Sequence, residues 1–217
     1  MNDVLSRIAA LRIVPVVSLE QAADAPALAD ALVAGGLPIV EITFRTDAAQ
    51  QAIRQLAGRD NLLVGAGTVL NVDTAKRAVD AGARFIVSPG FNPKVVAWCV
   101  DAGVTITPGT ATPTDIEMAL DHGLSVVKFF PAEPLGGLNM LKAISAPYGM
   151  MQFMPTGGIG PENLAEYLRF PKVIACGGSW MAPKESIAAK RFAEITELTR
   201  QAVCIARAPE GQRKHSC

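Results

Sequence analysis

Two ionisable residues stand inside apolar runs of this sequence. Lys128 lies in the run VVKFF (residues 126–130), and Glu41 lies in IVEI (residues 39–42). Burial disfavours the charged form of an amine, and a neutral lysine amine is the nucleophile that forms a Schiff base with a carbonyl substrate. Burial also raises the pKa of a carboxyl group toward neutrality, where it can act as a general acid and base. The alternative is that Lys128 reaches solvent or pairs with a carboxylate, and that Glu41 only balances the charge of Lys128 or Arg45.

Arg45 follows Glu41 by four residues. Side chains two apart on a strand share a face, so Glu41, Thr43 and Arg45 are expected to point the same way. A guanidinium can hold a carboxylate through two parallel hydrogen bonds, and Thr68 can add a hydroxyl. We therefore predict a carboxylate clamp at Arg45, the alternative being a surface salt bridge to Asp47 or Glu41.

Two double glycines follow the last two apolar runs. Gly157-Gly158 comes directly after Thr156, and Gly177-Gly178 is followed by Ser179. Glycine lets a backbone approach an anion closely, so that amide N–H groups can bind it. The pattern predicts a phosphate site; the alternative is that the glycines only form tight turns.

No residue pattern predicts a metal site or a cofactor. His122 and His215 are the only histidines, and the four cysteines are far apart with no CxxC spacing, whereas zinc needs clustered ligands. Buried, reduced thiols at Cys99 and Cys176 would fit a reducing cytoplasm, which is the predicted location.

The elements that must position these residues alternate along the chain. Eight short apolar runs read as strands, at residues 13–18, 39–44, 62–67, 84–88, 104–107, 125–130, 152–156 and 172–176. Helical stretches lie between and after them, at residues 27–34, 47–56, 72–81, 94–101, 113–121, 138–144, 161–168 and 184–206. Near-continuous apolar strands are typical of a parallel sheet buried on both faces. Eight such units predict a (β/α)8 TIM barrel, in which strand ends carry the active site; a doubly wound open sheet is the alternative.

The chain length fits one domain. We expect residues 1–207 to form a single barrel domain and residues 208–217 to be a polar, disordered tail. A short helix before Ile13 is expected to cover the bottom of the barrel.

Composition excludes several classes of protein. Lys plus Arg and Asp plus Glu are both 20, so the basic excess of a nucleic-acid binder is missing. No apolar run approaches the ~20 residues of a membrane span. Charges at Asp3, Arg7 and Arg12 interrupt the stretch that a signal peptide would need. A small-molecule substrate is the expected partner.

The combined motifs resemble the class I 2-keto-3-deoxy-6-phosphogluconate and 4-hydroxy-2-oxoglutarate aldolases along nearly the whole chain. These motifs are VEITFRT (residues 40–46), GAGTVL (65–70), SPG (88–90), KFFPAE (128–133), PTGGI (155–159) and GGSW (177–180). The resemblance implies that Lys128 forms the imine with the keto carbon and that Glu41 shuttles protons.

The same resemblance implies a set of substrate-binding residues. Arg45 and Thr68 would hold the pyruvate carboxylate, and the distal hydroxyl and phosphate would bind the segment Thr156–Gly158 with Gly178 and Ser179. Pro89 and Phe130, in the SPG and KFFPAE motifs, complete the set. A metal-independent homotrimer that yields pyruvate and D-glyceraldehyde 3-phosphate is implied.

Other functions stay open on the residues alone. The same imine chemistry would serve the galactonate epimer or unphosphorylated 4-hydroxy-2-oxoglutarate. A phosphosugar isomerase or epimerase would use Glu41 as a carbanion-forming base and Lys128 only electrostatically. A catalytically inert phosphosugar-binding barrel would bind a ligand without turnover.

Overall fold

The computed structural model describes residues 2–207, and the predicted tail at 208–217 lies outside them. The described chain is an α/β fold in which short parallel strands alternate with helices. The strands are β1 Ile13–Val17, β2 Ile39–Thr43, β3 Leu63–Gly67, β4 Phe85–Val87, β5 Thr105–Thr107, β6 Gly109–Thr110, β7 Val126–Phe129, β8 Gln152–Pro155 and β9 Cys176–Gly178. The α-helices are α1 Asp3–Leu11, α2 Ala25–Ala34, α3 Ala49–Leu56, α4 Val72–Asp80, α5 Pro93–Asp101, α6 Pro113–Asp121, α7 Gly137–Ser145, α8 Leu164–Arg169, α9 Lys184–Ala188 and α10 Phe192–Arg207. A single 3-10 turn, Ala22–Asp24, precedes α2.

The parallel strands form a curled, half-barrel sheet. Six strands pair in the order β5-β4-β3-β2-β1-β9, and three more pair in the order β6-β7-β8. Pro108 separates β5 from β6, because a proline has no N–H to donate to a ladder. Its carbonyl still accepts a 2.9 Å hydrogen bond from Lys128 N. Two isolated bridges, Phe153 to Val173 and Thr156 to Gly177, join the other ends of the two segments.

Burial on both faces explains why the strands read as continuous apolar runs. Along β4, Phe85 and Val87 belong to one core cluster, whereas Ile86 belongs to a second cluster that contains residues of α2 to α5. Strands β2 and β3 are buried at every position. The alternation places Glu41 on the same face of β2 as Ile39, away from α2 to α5.

The short helix predicted before Ile13 is confirmed. Helix α1 is capped by the side chain of Asn2, and it buries Val4, Leu5 and Ile8 in the same cluster as Ile13. The helix therefore covers the amino-terminal ends of the strands, opposite to the edge at which the candidate residues lie.

Seven of the eight predicted strands coincide with β1, β2, β3, β4, β5, β7 and β8 to within one residue at each end. The eighth, at residues 172–176, was placed wrongly. The strand is Cys176–Gly178, which pairs with β1 from Ile13 to Pro15. The prediction relied on apolar side chains, and the two glycines that pair with β1 have no side chain that could indicate a strand.

The predicted long helix at residues 184–206 is also wrong. The chain forms α9 and α10, and Lys190 between them has a left-handed φ of 57°. Lys190 N donates to Ile187 O and Arg191 N to Ser186 O, which closes α9, while the Lys190 ammonium pairs with Asp24. No glycine or proline stands at this break, so the sequence carried none of the usual signals for the end of a helix.

Candidate active site

Lys128 lies in β7, where every residue is buried. The residue is 6% exposed, and its Nζ lies 4.7 Å from the centroid of the Phe130 ring. Within residues 2–207 no salt bridge involves Lys128, so the pairing with Glu41 that the sequence left open is not formed. Removal of a lysine amine from solvent is one of the ways in which proteins prepare a lysine as a nucleophile.

Glu41 is 3% exposed and lies in β2, opposite Gly65 of β3. Its carboxylate fits against Gly67, since a Cβ placed on Gly67 would lie 1.9 Å from Glu41 Oε1. Burial raises the pKa of Glu41, and the nearby charges of Lys128 and Arg45 offset part of this rise. Oε1 is buried and has no hydrogen-bond partner among the described residues. A carboxyl group with a raised pKa can act as a general acid as well as a general base.

Glu41 and Lys128 lie one step deeper than a cavity of about 510 Å³. Thr43, two residues after Glu41, and Phe130, two residues after Lys128, both line this cavity. Residues two apart on a strand share a face. The two ionisable groups therefore approach the bottom of the cavity from the two segments of the sheet.

Seven of the predicted site residues line the cavity itself: Arg45, Phe130, Thr156, Gly157, Gly158, Gly178 and Ser179. Arg45 lies beyond the end of β2 and is exposed, and its Nε donates a 3.3 Å hydrogen bond to Thr68 Oγ1. Arg45 makes no salt bridge among residues 2–207, so the surface pairing with Asp47 or Glu41 is not formed. Arg45 and Thr68 also line a neighbouring cavity of about 340 Å³.

Pro89 is half-buried and, like Thr68, does not line the 510 Å³ cavity. Its carbonyl oxygen packs against Gly109, where an added Cβ would lie 2.1 Å from it. Gly109 is the β6 residue opposite Lys128, so Pro89 contacts the strand beside the lysine.

The two double glycines differ in conformation. Gly157 and Gly158 have φ values of 97° and 82° and form a turn after β8. Gly177 and Gly178 lie within β9, so the expectation that both pairs follow a strand is wrong for the second pair. Close contacts explain the small residues in β9, because a Cβ on Gly177 would lie 2.4 Å from Thr156 Oγ1 and one on Gly178 would lie 1.7 Å from the Trp180 ring.

The turn offers a free donor to the cavity. Among the described residues, no hydrogen bond takes up the backbone N–H of Gly158, whereas the bridge between Thr156 and Gly177 directs the Gly157 N–H toward β9. Gly158 lines the cavity, and Ser179, which is exposed, adds a hydroxyl beside it. A free backbone N–H and a hydroxyl at one edge of a cavity suit an anion.

Sequence reasoning missed several residues that line the cavity. Val16 and Ser18 come from β1 and its end, and Lys184 and Glu185 come from the start of α9. The side chains of Lys184 and Glu20 approach to 3.7 Å at the exposed edge of the cavity. Ser18 is a polar residue at the end of the first apolar run, and this polarity is the one sequence signal that could have marked it as a candidate site residue.

The two buried cysteines are poor nucleophiles. Cys99 and Cys176 are free thiols, as predicted. Burial raises the pKa of Cys99 to about 12 and raises that of Cys176 as well. The thiolate is the reactive form of cysteine, so neither residue competes with Lys128 as a nucleophile.

Residues 2–207 contain no cluster of metal-ligating side chains and no membrane-spanning helix. No three His, Cys, Asp or Glu side chains come together there in a way that could hold a metal ion. No helix in that range combines the length and apolar character needed to cross a membrane.

Comparison with known proteins adds independent evidence. The model of the family described as KDPG and KHG aldolase matches residues 4–198. The 2-dehydro-3-deoxy-phosphogluconate aldolase of Treponema pallidum is 52% identical over 206 residues, which cover 94% of this chain and 98% of that protein.

Solved structures of similar proteins agree with this match. The 2-keto-3-deoxy-6-phosphogluconate aldolase of Zymomonas mobilis, solved with 3-phosphoglycerate, superposes with a TM-score of 0.90 at 39% identity and covers 96% of this chain and 98% of its own. The KDPG aldolase of Legionella pneumophila, with pyruvate captured as a covalent carbinolamine, gives a TM-score of 0.89 at 38% identity over 93% of this chain and 98% of its own. The chain therefore belongs to the KDPG and KHG aldolase family.

Proposed function

We propose that this protein is a class I aldolase that cleaves 2-keto-3-deoxy-6-phosphogluconate to pyruvate and D-glyceraldehyde 3-phosphate, and 4-hydroxy-2-oxoglutarate to pyruvate and glyoxylate. One observation carries the proposal: a buried lysine that makes no salt bridge within residues 2–207 lies near a buried glutamate whose pKa is raised, and the strands of both lead to the 510 Å³ cavity. Both substrates are named in the description of the family to which the chain belongs.

The chemistry follows from these two groups. Lys128 Nζ attacks the keto carbon of the substrate, and the carbonyl oxygen takes up a proton to give a carbinolamine. Loss of water then gives a protonated imine, which withdraws electrons from the bond to be cleaved. Glu41 supplies the proton for water loss and, as the carbon–carbon bond breaks, accepts the proton of the hydroxyl on the carbon that becomes the aldehyde. The remaining enamine is protonated at carbon, and water releases pyruvate and the free amine.

The binding roles follow from charge and position. We infer that Arg45 and Thr68, which are already hydrogen-bonded to each other, hold the carboxylate next to the reacting carbonyl. Thr156, Gly157, Gly158, Gly178 and Ser179 would bind the distal hydroxyl and the phosphate, through hydroxyl groups and backbone N–H groups. Phe130 would cover the imine, and Pro89 would support the strand beside Lys128.

The architecture that we propose is a closed (β/α)8 barrel formed by one domain, residues 1–207. Three observations support closure: β5 and β6 are separated by Pro108 alone, Thr156 bridges to Gly177, and Phe153 bridges to Val173. The family resemblance supports a homotrimer. The free thiols of Cys99 and Cys176 support a cytoplasmic location.

The direct test is a steady-state assay of the purified protein with each of three substrates: the gluconate-derived phosphate, its galactonate epimer and 4-hydroxy-2-oxoglutarate. Pyruvate release is followed through lactate dehydrogenase, and the aldehyde product is identified by NMR. We expect the highest kcat/KM for the gluconate-derived phosphate. A protein that interconverts phosphosugars without releasing pyruvate would be an isomerase or epimerase, and the aldolase proposal would be wrong.

A further inference from the structure

The loop that follows Lys128 is joined to the Gly157–Gly158 turn. Ala132 N donates to Thr156 O at 2.9 Å, and Glu133 N donates to Gly157 O at 3.0 Å. These bonds extend the pairing of β7 and β8 beyond the ends of both strands. Any displacement of Glu133 is therefore transmitted to the turn.

The side chain of Glu133 fixes the turn from one side. Its methylene group packs against Gly158, where an added Cβ would lie 2.5 Å from Glu133 Cβ. Its carboxylate accepts a hydrogen bond from the hydroxyl of Tyr167 on α8. Tyr167 is 1% exposed and belongs to the main core cluster, so it is a rigid anchor for an otherwise exposed side chain.

Asn163 fixes the same turn from the other side. Its Nδ2 donates to Gly158 O and its Oδ1 accepts from Gly160 N, both at 2.9 Å. The backbone bonds to this segment use the carbonyls of Thr156, Gly157 and Gly158, and Asn163 Oδ1 uses the N–H of Gly160. The N–H of Gly158 is left free among the described residues, and Gly158 lines the cavity.

We propose that Glu133 and Tyr167 are positioning residues that hold the Gly157–Gly158 turn in its anion-binding shape, and that they set the preference for phosphorylated over unphosphorylated substrates. The inference rests on the proposed function, because it assumes that this turn receives the phosphate. Neither residue touches the reacting atoms in this account. Their loss should weaken binding of the phosphate and leave the cleavage step unchanged.

The test uses three variants and one matched control. Tyr167→Phe removes only the hydroxyl, Glu133→Ala removes the carboxylate, and Glu133→Gln keeps an oxygen that can accept the tyrosine hydrogen bond. The chain contains two tyrosines, and both donate to a glutamate: Tyr148 bonds to Glu117 Oε1 at 3.0 Å on the exposed surface. Tyr148→Phe therefore makes the same chemical change away from the cavity.

The readout is KM and kcat for the phosphorylated and the unphosphorylated substrate. For Tyr167→Phe and Glu133→Ala we expect KM for the phosphorylated substrate to rise about tenfold with kcat within about twofold, since one ordered binding group is worth about this factor. Kinetics with 4-hydroxy-2-oxoglutarate should change by less than about twofold, and the Ki of inorganic phosphate as a competitive inhibitor should rise in parallel with KM. Glu133→Gln should largely restore the wild-type values, and Tyr148→Phe should match wild type.

Two results would overturn the inference. One is an equal change for both substrates, which would indicate a general structural role. The other is a lower Tm with no change in KM or in the Ki of phosphate. If wild type cleaves neither substrate, the proposed function fails. The inference is then decided by calorimetric titration of wild type and Tyr167→Phe with inorganic phosphate. Equal affinities would contradict the inference, and weaker binding by the variant would support it.

Discussion

The floor and the rim of the cavity differ in burial, and we assign proton transfer to the floor and anion binding to the rim. By the floor we mean Glu41 and Lys128, which are 3% and 6% exposed and lie within strands, each two residues before a residue that lines the cavity. The rim is formed by Arg45, the Gly157–Gly158 turn and Ser179, all beyond the strand ends and at least partly exposed. Burial changes protonation equilibria, so groups that exchange protons belong on the floor. Exposed donors stay charged or free to bind, so groups that recognise an anion belong on the rim.

The largest expected effect on the floor comes from Lys128→Ala. We expect kcat to fall by at least about 10³-fold, because the imine cannot form without the amine. Thermal unfolding should show a folded protein, and Lys142→Ala, which changes an exposed lysine of α7, should leave kcat at the wild-type level. Substantial cleavage by Lys128→Ala would show that the floor does not supply the amine that forms the imine.

Glu41→Gln should have the second largest effect. We expect kcat to fall about 10²- to 10⁴-fold, the usual contribution of a positioned general acid and base. Imine formation with pyruvate should survive better than turnover, which can be measured by trapping the adduct. If turnover is unchanged, Glu41 takes no part in the mechanism.

Gly67→Ala tests whether cleavage depends on the position of the Glu41 carboxylate and not only on the presence of a carboxylate. The new methyl group would lie 1.9 Å from Glu41 Oε1, so the carboxylate must move. We expect kcat to fall about 10²-fold, since small displacements of a catalytic group have effects of this order. Gly149→Ala is the matched control, because a Cβ there meets nothing within 4 Å. Equal kinetics for the two variants would contradict the placement of Glu41.

On the rim, Arg45→Ala should act mainly on binding. We expect KM for pyruvate-forming substrates to rise about tenfold, with a smaller change in kcat, because a guanidinium–carboxylate pair is lost. The charge of Arg45 also lowers the pKa of Glu41, so its removal should move the acidic limb of the kcat profile to higher pH. A fall in kcat alone, with KM unchanged, would place Arg45 with the floor groups.

The smallest expected effect is on stability. Burial raises the folded-state pKa of Glu41, so the folded protein holds this proton to higher pH than the unfolded chain does. Between those two pKa values the free energy of unfolding falls as pH rises, and the cost is complete above the folded pKa.

Glu41→Gln removes this cost. Its Tm should therefore exceed that of wild type at pH 8, and the difference should shrink as the pH falls toward the ordinary pKa of 4.5 and stop changing below it. Thermal unfolding of both proteins across this pH range is the measurement. A difference in Tm that does not change with pH would show that the titration of Glu41 does not contribute to the pH dependence of stability.

The strands and the burial of the floor residues could be predicted from the sequence. A lysine or a glutamate in an apolar run is conspicuous, and β-strand periodicity then fixes which face it shares. Seven strands were therefore predicted to within one residue at each end, and Lys128 and Glu41 are buried within two of them.

The rest depends on contacts between distant parts of the chain. Tyr167 and Glu133 are 34 residues apart, and no local pattern links them. The extended conformation of Gly177-Gly178 is imposed by pairing with β1, and the break at Lys190 involves Asp24. Pro89 lies in a motif of the site, yet its position beside Gly109 depends on how two strands approach each other.

The most direct test of the central claim is borohydride trapping with pyruvate. The wild-type protein is incubated with pyruvate, reduced and digested, and the adduct is located by mass spectrometry. We expect a single modified lysine, Lys128, and no adduct in Lys128→Ala. A folded wild-type protein that gives no adduct, or an adduct on another lysine, would contradict imine chemistry at the floor of this cavity.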